Sequence, residues 1–255
     1  MNKIKKKASQ PLWGMTLWSP SPGFTSLESI ISLALSLLLI LSCLEFLFFA
    51  RQAFFKLKST EERTQAALLA IERIKKDVQQ GGLGIQLPLS LGLLSGITKE
   101  GKGVVITSLD KTYSLLSDLL PGETSLRLET TKGLKKKTEI CLSDGIKAEL
   151  KLINDINSNS IILSSPSENY YPRESAMLLS LRKVFLFFDE KNQKIRRKVN
   201  LSSAQPLLEE VLNASLSYEE KKNLLTIFFS LKGSKEKTHE FHFFAKNIAL
   251  SITRK

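Results

Sequence analysis

Cysteine and histidine are nearly absent from this chain of 255 residues, with two of each. Cys43 and Cys141 are too few and too far apart for a disulfide framework or a cysteine-rich structural zinc site, and both read as small apolar fillers. His239 and His242 are the only imidazoles, and the abundant serines lack a nucleophile elbow, so a serine triad has little to build on. Their motif, HEFH, spaces the histidines three apart in a segment that reads as a strand. Side chains so placed face opposite ways, whereas a zincin needs them four apart on a helix. Proline is limited to 8 residues and 42% of the chain is hydrophobic, which excludes wholesale disorder and collagen-like or mucin-like classes.

Two further absences organise the chain. No Lys or Arg stands between Lys7 and Arg51, and no Gly or Pro stands between Phe24 and Gln80. The first gap contains LESIISLALSLLLILSCLEFLFFA, residues 27–50, with polarity limited to four serines, Glu28 at the near end and Glu45 toward the far end. A bilayer-spanning helix needs about 20 mainly apolar residues, and core helices of soluble proteins rarely stay apolar all round for so long. Residues 24–50 therefore read as a transmembrane segment in contact with the lipid bilayer. The preceding 1–23 carry four lysines and are then punctuated by Pro11, Pro20, Pro22 and Gly23. A secretory peptide places its cleavage site after the apolar run; here the polar leader ends before it, and its lysines bias it to the cytoplasm.

From residue 51 to 82 the pattern changes to a helix with one apolar stripe, formed by Leu57, Thr64, Ala67, Ile71, Ile74 and Val78 between Lys, Glu, Arg, Gln and Asp. Gly81 and Gly82 supply the stop. A continuous helix over 24–80 would be roughly 85 Å long at 1.5 Å per residue. Residues 83–255 read mainly as strands: 101–109, 124–130, 136–145, 146–153, 160–165, a hairpin over 176–199, then 211–220, 223–233 and 238–250. The expected fold class is α+β, a long N-terminal membrane-spanning helix packed on a mainly antiparallel β-sheet head outside the cytoplasm.

The sequence motifs in the head favour structure over chemistry. SDG at 143–145 and DEKN at 189–192 read as turns. GGLG at 81–84 does not connect a strand to a helix, as a phosphate-cradling loop would. Phe185, Phe187 and Phe188 read as sheet core. The formal charge is +12, and residues 51–255 alone carry 33 basic and 23 acidic side chains. The basic clusters at Lys132 with Lys135–Lys137 and at Lys191–Lys198 suit either solvated loops or a phosphate-contacting face. No cofactor, metal or catalytic set is called for.

The junction Gly23-Phe24-Thr25-Ser26-Leu27-Glu28, behind a lysine-rich leader and ahead of an uninterrupted apolar helix, resembles the class III signal of type IV prepilins and type II secretion pseudopilins. The segment Ala70–Gly82, the strand Lys183–Phe188, Ile195-Arg196-Arg197 and Gln205–Val211 are similar to the order of elements in PilW-like minor pilins and GspJ-type minor pseudopilins. Three departures stand out: Ser26 replaces a bulky apolar residue, Glu45 a helix-breaking proline of major pilins, and Glu210 a frequent glycine.

The resemblance implies cleavage after Gly23 by a prepilin peptidase, N-methylation of Phe24, and residence in the inner (cytoplasmic) membrane. It also implies partnership with other minor subunits, the major subunit and the inner-membrane assembly platform. The subunit would be non-catalytic and would initiate or cap a type IV pilus or a type II secretion pseudopilus, a choice that stays open. The alternative is a single-pass envelope protein whose basic head binds DNA or polysaccharide.

Glu28 has a physical role apart from the resemblance. A carboxylate at the edge of lipid is costly unless paired or at the interface, and the amine that cleavage creates at Phe24 of a neighbouring subunit would pair with it. Processing also lowers the formal side-chain charge from +12 to +8, because the leader holds four lysines and no acid. Mass spectrometry of the N-terminal peptide of membrane-extracted protein should find a methylated Phe24; a chain starting only at Met1 or near Arg51 would refute the processing.

Overall fold

The computed structural model describes residues 25–232 and 238–252. The leader 1–23, with Gly23, and also Phe24 lie outside the described residues. The chain divides into two units, Met1–Glu61 and Glu62–Lys255. One helix, α1 (Ser26–Gln80), has residues in both.

In the first unit the described residues from Ser26 onward all lie in this helix. An 18-residue window of it reaches a mean hydropathy of 2.5 with none of it buried, so α1 is long and apolar enough to cross a membrane once. Leu27, Ile31, Leu39, Phe48 and Leu57 are all exposed. The second unit begins with the last part of α1, where exposure alternates with the helical period. Ala70, Ile71, Ile74 and Val78 are buried and Ala67 is half-buried, while Glu72, Lys75 and Lys76 are exposed. The apolar stripe starts later than the periodicity predicts: Leu57 and Thr64 are exposed. After Gln80 the helix closes through Gly81 N–H to the carbonyls of Asp77 and Val78 (3.1 and 3.0 Å), and Gly82 takes the left-handed φ of +76°.

A short helix α2 (Gln86–Ser90) follows, and then strands β1 (Ile97–Glu100), β2 (Gly103–Ser114), β3 (Ser125–Arg127), β4 (Glu139–Ser143), β5 (Ala148–Ile156), β6 (Ser160–Leu163), β7 (Met177–Asp189), β8 (Lys194–Val199) and β9 (Gln205–Leu208). These nine form one sheet, and every pairing is antiparallel. Its central strand is β7, 13 residues long. One edge of β7 pairs with β2 over almost its full length; the other is shared, with β4 on Met177–Ser180 and β8 on Val184–Asp189. The sheet therefore forks, toward β5, β6 and β3 on one branch and β9 on the other. Strands β10 (Val211–Glu219), β11 (Leu224–Leu231) and β12 (Thr238–Phe244) make a second antiparallel sheet, and α3 (Lys246–Ile252) closes the described chain.

The pleat of β7 explains why the fork is stable. Val184, Leu186 and Phe188 point to the same core as Ile74 and Val78 of α1 and Leu225, Ile227 and Phe229 of β11. Leu179 and Leu181 point the other way, onto the segment around α2 with Ile85 and Cys141. A third cluster, with Leu128, Ile140, Ile161, Tyr171 and Leu178, lies under the β3–β6 branch. The second unit is thus α+β, with the end of α1 packed against antiparallel sheet.

Several elements differ from the sequence reading. Residues 238–250 are not one strand: β12 ends at Phe244 and helix begins at Lys246, placing Ile248 against Gly82 and Gly96. A Cβ at Gly96 would lie 2.5 Å from Ile248, so glycine provides the room for that contact. Strands β1 and β9 and helix α2 were also not foreseen. They are four or five residues long, with little periodicity to detect.

Ile74 is 1% exposed between α1 and both sheets, whereas Lys75 faces solvent. Ile74→Ala should destabilise the head by about 2–5 kcal/mol, and Lys75→Ala by no more than about 0.5. Denaturant unfolding of the detergent-solubilised chain, followed by circular dichroism, checks this; equal midpoints for the two variants would place the buried face elsewhere.

Candidate functional site

At the start of α1, Thr25 is the residue before the first helical one. Its backbone N–H and its hydroxyl both donate to Glu28 Oε2 at 2.9 Å, and the Glu28 N–H donates back to Thr25 Oγ1 at 3.3 Å. This is a capping box, in which two otherwise unsatisfied groups of the first turn are paired reciprocally. The spacing Thr25-x-x-Glu28 is its sequence signature, and the sequence reading overlooked it by assigning the carboxylate to assembly alone. Glu28 is exposed and has a second oxygen, Oε1, outside these bonds.

The other end of α1 holds a buried charge. Asp77 is 2% exposed, and a carboxylate so placed costs several kcal/mol unless it is paired and hydrogen-bonded. Arg197 of β8 donates Nε to Oδ2 (2.6 Å) and Nη2 to Oδ1 (2.9 Å), a bidentate fork. Arg182 of β7 adds Nη2 to Oδ1 at 3.3 Å and sends Nη1 to Gln80 Oε1 at 2.6 Å. One turn of α1 is thereby tied to two adjacent strands. Sequence reasoning placed Arg197 in a basic cluster suited to either solvated loops or a phosphate-contacting face; the signal it missed is that an acid, Asp77, sits on the apolar side of a helix.

Two more basic residues of that cluster are paired as well. Arg196 Nε lies 2.8 Å from Asp189, and Lys194 Nζ lies 2.5 Å from Glu209. Within 191–198, Lys194, Arg196 and Arg197 are thus paired with acids while Lys191 and Lys198 are exposed, so the positive face is interrupted. Of the three phenylalanines, Phe188 is core, while Phe185 and Phe187 stack on each other at 4.9 Å, half-buried on the opposite face.

The histidines lie on opposite faces of β12. His239 is half-buried and stacks on Phe229, while His242 is exposed beside Glu240 (3.1 Å) and Thr226 (3.0 Å). Among the described residues no group of three His, Cys, Asp or Glu is placed to hold a metal. Cys141 is fully buried, and burial pushes its thiol up to about 12. Asp144 and Asp189 accept backbone N–H groups within their own turns. An open groove of about 670 Å³ between α2 and α3 is lined by Gln86, Leu87, Pro88, Leu179, Asn247 and Leu250, with no charged side chain.

No model of a known protein family matches the chain, and no curated protein matches it. One solved structure, the Gp54 tailspike of Acinetobacter baumannii bacteriophage AP22 in complex with A. baumannii capsular saccharide, aligns at 11% identity with a TM-score of 0.27. The alignment covers 30% of this chain and 15% of the tailspike, and at that level it carries no argument about fold or function.

Removing the Asp77 carboxylate would strand the Arg197 guanidinium in a largely buried site. Asp77→Ala should cost about 3–5 kcal/mol, and Arg197→Ala made in that background should cost far less than alone. A double-mutant cycle by chemical denaturation measures the coupling; additive losses would mean that the pair is not what holds helix to sheet.

Proposed function

We propose that this chain is a non-catalytic minor subunit of a type IV pilus or type II secretion pseudopilus, cut after Gly23 by a prepilin peptidase and methylated at Phe24. The observation that carries the reading is α1 itself. One unbroken helix starts at the Gly23-Phe24-Thr25-x-x-Glu28 junction, is apolar and exposed along its first half, and is amphipathic at its end, where it packs on antiparallel sheet. The inner membrane would store the apolar half, and separate ATP-driven machinery would draw the subunit into a helical array with other minor and major subunits.

Two details of the head support this. Two segments that carry the resemblance, Ala70–Gly82 and Ile195–Arg197, meet in space through Asp77 and Arg197, which lie 120 positions apart. The place where the family often has glycine, Glu210, has a left-handed φ of +57°. Its carbonyl accepts from Lys232 N–H (2.8 Å) and its carboxylate pairs with Arg63 (2.7 Å), contacts that help hold a non-glycine residue in that backbone.

Glu28 is the residue on which assembly would turn, and its two roles separate chemically. Glutamine can replace glutamate in a capping box but carries no charge to meet a Phe24 amine. Glu28→Gln should therefore insert and be processed normally yet give lower crosslinking to partner subunits at matched membrane abundance. Glu28→Asp should be milder. Glutamine-variant yields equal to those of the unmodified chain, alongside a defect in Glu28→Ala, would assign the residue to helix capping and remove its assembly role.

A further inference from the structure

Lys151, on β5, is a lysine with only 4% of its side chain exposed, and Glu149 stands two residues earlier on the same face at 7%. Lys151 Nζ lies 3.1 Å from Glu149 Oε2 and donates to Pro166 O at 2.8 Å. The exposed Glu168 carboxylate is farther away, at 3.6 Å. The other oxygen of the same Glu149 carboxylate accepts from the Asn169 side-chain amide at 2.5 Å. One buried carboxylate thus bridges an amine and a carboxamide, which is more than neutralising a lysine requires.

The loop that supplies Asn169 is fixed on both sides. Ser167 N–H donates to Glu123 O and Ser167 Oγ to Asn169 O, while Tyr171 N–H donates to Leu119 O and its ring is fully buried. Holding reactants in place removes much of the entropic barrier to a bond between them.

We propose that Lys151 and Asn169 are joined after folding by an intramolecular amide bond, with Glu149 as the proton carrier. Glu149 takes a proton from the Lys151 ammonium, and the freed Nζ attacks Cγ of Asn169. The Nζ–Cγ bond forms and the Cγ–Nδ2 bond breaks. The two hydrogens that Lys151 gives up leave on the Asn169 nitrogen, so the released species is ammonium and Glu149 returns to its carboxylate. No electron changes hands, and no oxidant or other co-reactant enters. Burial pushes the Glu149 carboxyl up, but hydrogen bonds from Glu168 N–H and Asn169, with the Lys151 ammonium, hold it below its ordinary value. The first proton transfer is consequently uphill, and the reaction is a slow, single maturation event. Its product would fasten the loop before β7 to β5 covalently.

Intact-mass and peptide-mapping spectrometry of the full membrane-extracted chain tests this. The expected result is a mass lower by one ammonia, with Lys151 and Asn169 in one branched peptide. Lys151→Arg and Asn169→Ala should restore the full mass, and Asn169→Asp should lose one water at the same place instead. Separate Lys151 and Asn169 peptides at full mass after prolonged incubation of the folded chain would overturn the proposal, as would an ammonia loss that persists in Lys151→Arg.

Discussion

Placing the Asp77 carboxylate in the interior is the constraint on which the head depends. A lone charge there would cost several kcal/mol, so the helix is held where Arg197 and Arg182 can meet it. A bidentate fork tolerates little rotation or sliding, and it sets both the axial position and the facing of the last turns of α1 on β7 and β8. Ile74 and Val78, on the same side of the helix, are then directed into the core shared with β11. The glycine pair that follows turns the chain so that Gly82 N–H reaches Thr107 O of β2 at 2.8 Å. The pair gives specificity of register, while the apolar contacts provide most of the stabilisation.

The forked sheet follows from the length of β7. With 13 residues it is too long for any one neighbour on its second edge, and β4 and β8 divide that edge between them. Its alternating side chains supply three clusters at once, so a substitution on β7 is felt on both faces of the sheet. Two groups of buried charged side chains are matched internally: Asp77 with two arginines, and Glu149 with Lys151, Asn169 and the Glu168 N–H. Both are polar knots in otherwise apolar surroundings. The first joins helix to sheet, and the second joins strand to loop.

At the start of α1, Thr25 and Glu28 satisfy each other, so the acid has hydrogen-bond donors within its own turn. A capped carboxylate keeps acceptor capacity for a charged donor, because each oxygen has more than one lone pair. Local capping and pairing with a neighbour are therefore compatible in the proposed assembly role, and neither makes the other redundant.

The sequence alone determined whatever depends on local periodicity. The apolar run before Arg51, the stripe Ile71–Ile74–Val78, the glycine stop and the strands from β2 through β8, together with β10 and β11, are legible because one face or all faces of each segment must be apolar. The Thr25–Glu28 box was equally legible and was missed only because its acid was assigned to another purpose. Tertiary structure alone decided where partners at long range meet. Nothing local marks Arg197, in a run of basic residues, as the counterion of Asp77, 120 positions away. Nor does the THEFHFFAKNIAL pattern reveal that its strand ends at Phe244 so that Ile248 can fill the space left by Gly82 and Gly96. Charge compensation and close packing are properties of the folded contact, and a side chain acquires them only when the chain brings its partner within a few ångströms.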